Sequence, residues 1–173
     1  EALKWNLACI KRFPDFDEGY DTRGHLFERL GDMDQAKYWL EQCAEKVPHS
    51  PIGHVALGWF ERNHGEDLDV MIGHFERATI VDPQYLVAYK SLGVAMARKA
   101  IANMKEDADL FDTIQDAFAV YQKGLNKDRG IVRSYSSLAN GLSSYESDAA
   151  IAIFRKCNEF DPTNQSVLHS LGF

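Results

Sequence analysis

Apolar residues recur at spacings of three and four along most of the chain, which is the period of a helix that buries one face. Alternation of apolar and polar residues, the pattern typical of a strand, is scarce. Prolines and glycines separate the periodic segments, so the connections are short. The predicted helices are 34–47, 70–81, 86–104, 117–125, 131–142 and 149–160. Short helices with tight connections predict an all-α protein built from antiparallel helix pairs.

The chain also repeats itself in several series that run in register. One series of small residues recurs at separations of 34, 35, 46 and 33: Gly24, Gly58, Gly93, Ala139 and Gly172. A second series lies on the following helix: Ala2, Ala36, Met71, Ala117 and Ala150. Four residues beyond each of these stand Asn6, Leu40, Phe75, Tyr121 and Phe154. Small residues on facing helices let the two backbones approach closely, and a large side chain fills the space beside them.

This pattern resembles the tetratricopeptide repeat, which carries Leu-Gly on its helix A and Ala, an aromatic residue and Pro on its helix B. The resemblance covers essentially the whole chain and implies an α-solenoid of helix-turn-helix repeats forming a right-handed superhelix. It divides one array over 1–173 as follows: a half repeat at 1–16 (helix B), repeats at 17–50, 51–85, 86–130 and 131–164, and the start of a further helix A at 165–173.

Four residues depart from the repeat pattern, and the repeat at 86–130 is longer than its neighbours. Asn6 takes an aromatic position, which predicts a weakly packed first unit. The other departures are Arg23 before Gly24, Met71 at a small-residue position, and Arg129 where proline is expected. The extra residues lie near 100–111, where we expect both helices to be lengthened, with Asp109 or Asp112 as a cap. A disordered loop is the alternative.

Composition narrows the class of protein without revealing its function. The 173 residues are 45% hydrophobic and 26% charged, which is ordinary for a folded protein, and no apolar run is long enough to span a membrane. All of the net charge of −7 lies within residues 1–86, which disfavours nucleic acid as a partner. Three cysteines indicate reduced thiols and a cytoplasmic location. Both ends lie inside helical patterns, so we expect a piece of a longer protein.

The sequence contains few residues arranged for chemistry. All three cysteines occupy one small-residue position of helix B, where a thiol behaves as a small buried apolar group. The histidines lack the spacing of a zinc site, and the acidic stretches near 66–69 and 105–109 lack that of a calcium loop. These acids are better explained as helix N-terminal residues. We therefore predict a non-catalytic protein with no cofactor and no metal.

The resemblance places partner contacts on the inner, concave side of each helix A. The residues it assigns there are Asp21, His25, Glu28, Val55, Trp59, Arg62, Lys90, Val94, Arg98, Arg133 and Asn140. The resulting groove runs from acidic through apolar to basic. It predicts a protein-interaction scaffold that binds a peptide or helical segment of a partner. The alternative is a regulatory or substrate-recruiting array of an enzyme whose catalytic domain lies elsewhere. Uncovered helix faces at both ends also predict end-to-end self-association.

Overall fold

A computed structural model of the chain describes residues 1–65, 67–106, 108–124, 130–144 and 146–172. The described residues form helices and no strands, which confirms the all-α class. The helices are α1 (Ala2–Arg12), α2 (Asp17–Leu30), α3 (Met33–Lys46), α4 (Ile52–His64), α5 (Leu68–Val81), α6 (Leu86–Ala102), α7 (Leu110–Thr113), α8 (Gln115–Gly124), α9 (Ile131–Leu142), α10 (Ser147–Phe160) and α11 (Gln165–Leu171). The predicted helices match observed helices to within two residues at each end.

The chain divides into two compact units, residues 1–88 and 89–173. In the first unit α2 pairs with α3 and α4 pairs with α5, while α3 packs on α4 and α1 packs on α2. Helices α2 and α4 also contact each other. In the second unit α9 pairs with α10, α11 packs on α10, and α8 packs on α9. Within each unit these contacts join helices that are close in the sequence.

Local residues explain where several of the helices begin and end. Helix α2 ends at Gly31, whose φ of 80° is the left-handed conformation that favours glycine. Asp32 then caps α3 by accepting a hydrogen bond from the backbone N–H of Gln35. Asp67 caps α5 in the same way, so this acidic stretch serves a helix N-terminus as the sequence predicts. Asn164 caps α11.

The small-residue positions bring paired helices into close contact. Gly24 on α2 faces the side chain of Leu40 on α3, and Gly58 on α4 faces the ring of Phe75 on α5. A β-carbon on Gly58 would lie 2.5 Å from Cε1 of Phe75. Both large side chains are almost completely buried. The aligned series of small and large residues therefore meet across helix pairs in the first unit.

The first helix packs weakly through apolar contacts and gains polar ones. Ile10 is its one fully buried residue, and Trp5 is 72% exposed. Asn6 donates a hydrogen bond from Nδ2 to the carbonyl of Gly19 on α2, at 2.8 Å. Arg23, which is buried, donates from Nη1 to the carbonyl of Leu3, also at 2.8 Å. Two departures from the repeat pattern thus connect α1 to α2.

The long repeat differs in part from expectation. Helix α6 reaches Ala102 and has 17 residues, so the predicted lengthening of the first helix is observed. The second helix of this repeat does begin early, but it is divided into two helices instead of being continuous. A short α7 is capped by Asp109, as predicted, and Ile114 with φ −96° and ψ 8° separates it from α8. The side chain of Ile114 is completely buried at the junction of the two helices.

The cysteines are free thiols, and two of the three are buried as predicted. Burial raises the pKa of the Cys43 thiol to about 12 and also raises the pKa of Cys157. Both thiols are therefore protonated and unreactive at neutral pH. The predicted burial is wrong for Cys9, which is partly exposed on the weakly packed α1.

Candidate functional site

Three of the predicted contact residues form one polar row along α2. Asp21, His25 and Glu28 follow each other at helical spacing, so their side chains lie on the same face. The His25 ring bonds both carboxylates, with Nε2 at 3.3 Å from Oδ1 of Asp21 and Nδ1 at 3.0 Å from Oε2 of Glu28. The three side chains are 20–43% exposed. This row therefore presents an imidazole held between two carboxylates.

Glu28 also connects α2 to the end of α4. Its Oε1 lies 2.7 Å from Nε2 of His64, and Asn63 contributes a further hydrogen bond. The His64 ring in turn packs against Phe60, with the ring centroids 4.9 Å apart. From the sequence, no contact was assigned to His64, so this one was missed. Residues 36 positions apart give no local signal of such a bond.

The charges of this row are set by the contacts between its members. The hydrogen bond to Asp21 raises the pKa of His25 to about 9, with further support from Glu28, although burial opposes the shift. Burial alone would raise the pKa of Glu28, but hydrogen bonds from His64, His25 and Asn63 hold it below its usual range. At neutral pH His25 is therefore positive and Glu28 is negative. The row is less acidic than its two carboxylates alone would make it.

The protonation of His25 gives a direct test of this geometry. The folded-state pKa lies above the value of about 6.5 for an unfolded histidine. The stability that His25 contributes is thus fully present below pH 6.5 and is lost as the pH rises through about 9. We expect an NMR titration to place the His25 midpoint near 9, and Asp21→Asn to lower it. Exposed Glu18, changed to Gln, serves as the control. A His25 midpoint near 6.5 in the parent protein would contradict the contacts.

The predicted contact residues on α4 do not all reach the surface. Val55 is only 2% exposed, so its side chain offers little surface to a partner. Helices α2, α3 and α5 all pack on α4, which leaves only part of its surface open. Trp59 is half-buried and Arg62 is exposed. Trp59 and Arg62 thus remain accessible one and two turns further along this helix.

The remaining predicted contact residues lie in the second unit. Lys90, Val94 and Arg98 are half-buried on α6, while Arg133 and Asn140 are exposed on α9. The side chain of Val94 occupies the space beside Gly141, where a β-carbon would collide with it. Val94 therefore contributes to helix packing within this unit.

Other kinds of site are not found within the described ranges. No three His, Cys, Asp or Glu side chains are grouped there so that they could hold a metal ion. None of the helices described is long and apolar enough to cross a membrane.

Part of the chain matches a known protein family. A family model described as tetratricopeptide repeat matches residues 17–45, which include α2 and most of α3. No curated protein sequence matches the chain.

Several solved structures share the fold at low sequence identity. The crystal structure of MamA is 19% identical, with 93% of this chain and 87% of that chain covered and a TM-score of 0.58. A thermophilic tetratricopeptide-repeat protein of Thermus thermophilus is 19% identical, with 98% and 87% covered and a TM-score of 0.57. The Cut9–Hcn1 hetero-tetramer of the APC/C is 16% identical, with 98% and 32% covered and a TM-score of 0.57. The chain therefore carries a tetratricopeptide repeat at residues 17–45 and has the α-helical fold of tetratricopeptide-repeat proteins.

Proposed function

We propose that this protein is a non-catalytic interaction module that holds a peptide or helical segment of a partner against its helix A faces. Tetratricopeptide-repeat proteins are generally protein-interaction scaffolds. The observation that carries the proposal is the row of Asp21, His25 and Glu28, whose side chains are partly open to solvent on one face of α2. A folded domain that keeps such a row half-exposed offers directional polar contacts to a ligand.

The first unit is suited to a basic residue of the partner. Asp17 and Glu18 precede Asp21 on α2, and hydrogen bonds from Glu18 and Ser50 hold the pKa of Asp17 low against the effect of burial. Burial, followed by the charges of Asp21 and Asp17, raises the pKa of Tyr85. A Lys or Arg side chain would find several acceptors there.

Trp59 provides an apolar contact for the partner in the first unit. Trp59 on α4 is half-buried, and tryptophan is enriched among the residues that dominate interface energies. In the second unit Lys90, Arg98 and Arg133 supply positive charge, and Asn140 offers a neutral amide. We infer that the first unit takes a partner segment with basic residues and an apolar residue for Trp59, and that the second unit, taken by itself, suits acidic residues.

A peptide library tests the proposal without knowledge of the natural partner. Random peptides displayed on phage are selected against the 173-residue chain, and the best binder is synthesised. Trp59→Ala should raise its Kd roughly 30-fold, which corresponds to about 2 kcal/mol. Lys90→Glu with Arg98→Glu should slow association and weaken its salt dependence.

The matched control is Glu76→Lys, which reverses an exposed charge on α5 rather than on a helix A. It should leave the affinity for the peptide unchanged. If the triple variant Trp59→Ala, Lys90→Glu, Arg98→Glu bound every selected peptide as tightly as the parent, the helix A faces would not be the binding surface. Circular dichroism of each variant verifies that the fold is retained.

Self-association through the first helix is a second part of the proposal. Trp5 and Phe13 are more than half exposed, and Phe16 is 43% exposed. Phe13 and Phe16 line an open depression with Cys9 and Arg12 at the end of α1. Exposed apolar groups of this size favour contact with another protein surface.

A cytoplasmic location and partners other than nucleic acid stay predictions from the sequence.

A further inference from the structure

We propose that His54 on α4 and His74 on α5 form an acid-sensitive joint, which weakens the pairing of these helices when both imidazoles gain a proton. The two ring centroids lie 6.1 Å apart, and the ring planes are inclined by 31°. The Nδ1 atom of His54 is buried and has no hydrogen-bond partner in the described part of the chain. The joint lies on the first unit and does not depend on the proposed binding function.

The groups around the two rings make protonation unfavourable. The charge of Lys37 on α3 acts on His74, and its Nζ is 2.8 Å from Oε1 of Glu61 on α4. Glu61 acts on His74 with the opposite sign, and it is already paired with Lys37. Glu41 on α3 acts on Lys37, and Arg77 on α5 adds a further positive charge.

Burial and positive neighbours therefore act in the same direction. Burial lowers the pKa of His54, and Arg77 lowers it further. Burial likewise lowers the pKa of His74, followed by the charge of His54, while Glu61 opposes the shift. Both rings are neutral at pH 7. Protonation would place two imidazolium charges 6.1 Å apart, beside Lys37 and Arg77.

The direction of the pH effect follows from these contacts. A histidine whose folded pKa is depressed binds fewer protons in the folded state than in the unfolded state, so stability rises with pH. The contribution of the two neutral histidines to folding stability is fully present above the unfolded-state histidine pKa of about 6.5. It is lost as the pH falls from that value through the folded-state pKa. Mild acid should therefore loosen α4 from α5, well above the pH at which carboxylates become protonated.

Metal binding does not explain this pair as well. Two imidazoles provide too few ligands for a structural zinc site, and no metal-binding group of three includes them among the described residues. The positive charges of Lys37 and Arg77 would also repel a divalent cation. Repulsion between the protonated rings needs only the residues that are present and no metal ion.

The test compares the thermal midpoint Tm of the full 173-residue chain at about pH 7.5 and about pH 5.5, on either side of the unfolded histidine pKa. The double variant His54→Gln, His74→Gln should show a decrease in Tm about 3 °C smaller than that of the parent. Arg77→Gln should remove part of the decrease, because it removes one positive neighbour. The contribution of His25 is common to all these proteins and cancels in the comparison.

His49→Gln is the control, since His49 is exposed on the turn between α3 and α4. It should keep the parent's pH dependence. The proposal would be overturned if the double variant and the parent lost the same Tm between the two pH values. Because each protein is compared with itself, a lower starting Tm of the variant does not affect the test. If the double variant did not fold, NMR titration of the parent decides, and midpoints of His54 and His74 at or above about 6.5 would overturn the proposal.

Discussion

Replacing Gly53 with alanine should reduce the free energy of unfolding by roughly 1–3 kcal/mol or more, because the new methyl group has no space. A β-carbon at this position would lie 2.5 Å from the backbone nitrogen of Ala44 and 2.8 Å from its Cα. Backbone atoms of α3 cannot turn aside as a side chain can, so α4 must move away from α3. Each kcal/mol lowers the Tm of a protein of this size by about 2–4 °C, which thermal denaturation detects.

Gly73 on α5 provides the matched control for this substitution. It also lies inside a helix, but a β-carbon there would meet no atom within 4 Å. Gly73→Ala should therefore raise the free energy of unfolding by about 0.5–1 kcal/mol, since alanine favours the helical conformation. Equal effects of the two substitutions would show that α3 and α4 do not approach as closely as the structure indicates.

Replacing Arg23 with alanine should lower the free energy of unfolding by about 2–3 kcal/mol. The guanidinium carbon lies 4.4 Å from the centre of the Trp39 ring, and Nη1 donates to the carbonyl of Leu3. Truncation removes both contacts and leaves that carbonyl and Asn6 without their donor. Chemical denaturation of the full chain measures the loss.

Two further variants separate these contacts from simple packing. Arg29→Ala, at an exposed position of the same helix, should change the stability by no more than about 0.5 kcal/mol. Arg23→Leu restores the residue that the repeat pattern favours, yet it should still be less stable than the parent because leucine cannot donate to Leu3. A leucine variant more stable than the parent would mean that polar contacts do not hold α1 to α2.

The order and extent of the helices could be predicted because they depend on local composition and on a pattern repeated along the chain. Gly58 and Phe75 belong to aligned series, and the structure brings them together across α4 and α5. Helix caps such as Asp109 are also local, since the capping side chain binds backbone N–H groups two or three residues away. Sequence alone therefore predicted the fold class and the bounds of six helices to within two residues.

The side-chain contacts between distant residues could not be predicted in this way. The bond from His64 to Glu28 depends on how α2 meets the end of α4, and no spacing in the sequence encodes that. Burial of Val55 has a similar origin, because periodicity identifies the inner face of α4 but not how much of it the neighbouring helices cover. Arg23 was recognised as a departure from the pattern, whereas its contact with Trp39 required three-dimensional information.

NMR mapping of a bound peptide tests most directly whether the helix A faces bind a partner segment. A peptide selected from the random library is titrated into isotopically labelled protein, and the shifts of backbone amides are followed. The largest changes are expected on α2 and α4 for a basic peptide that contacts Trp59, with the His25 amide among the perturbed groups. Changes confined to α3, α5 or residues 108–113, with α2 and α4 unaffected, would contradict this expectation.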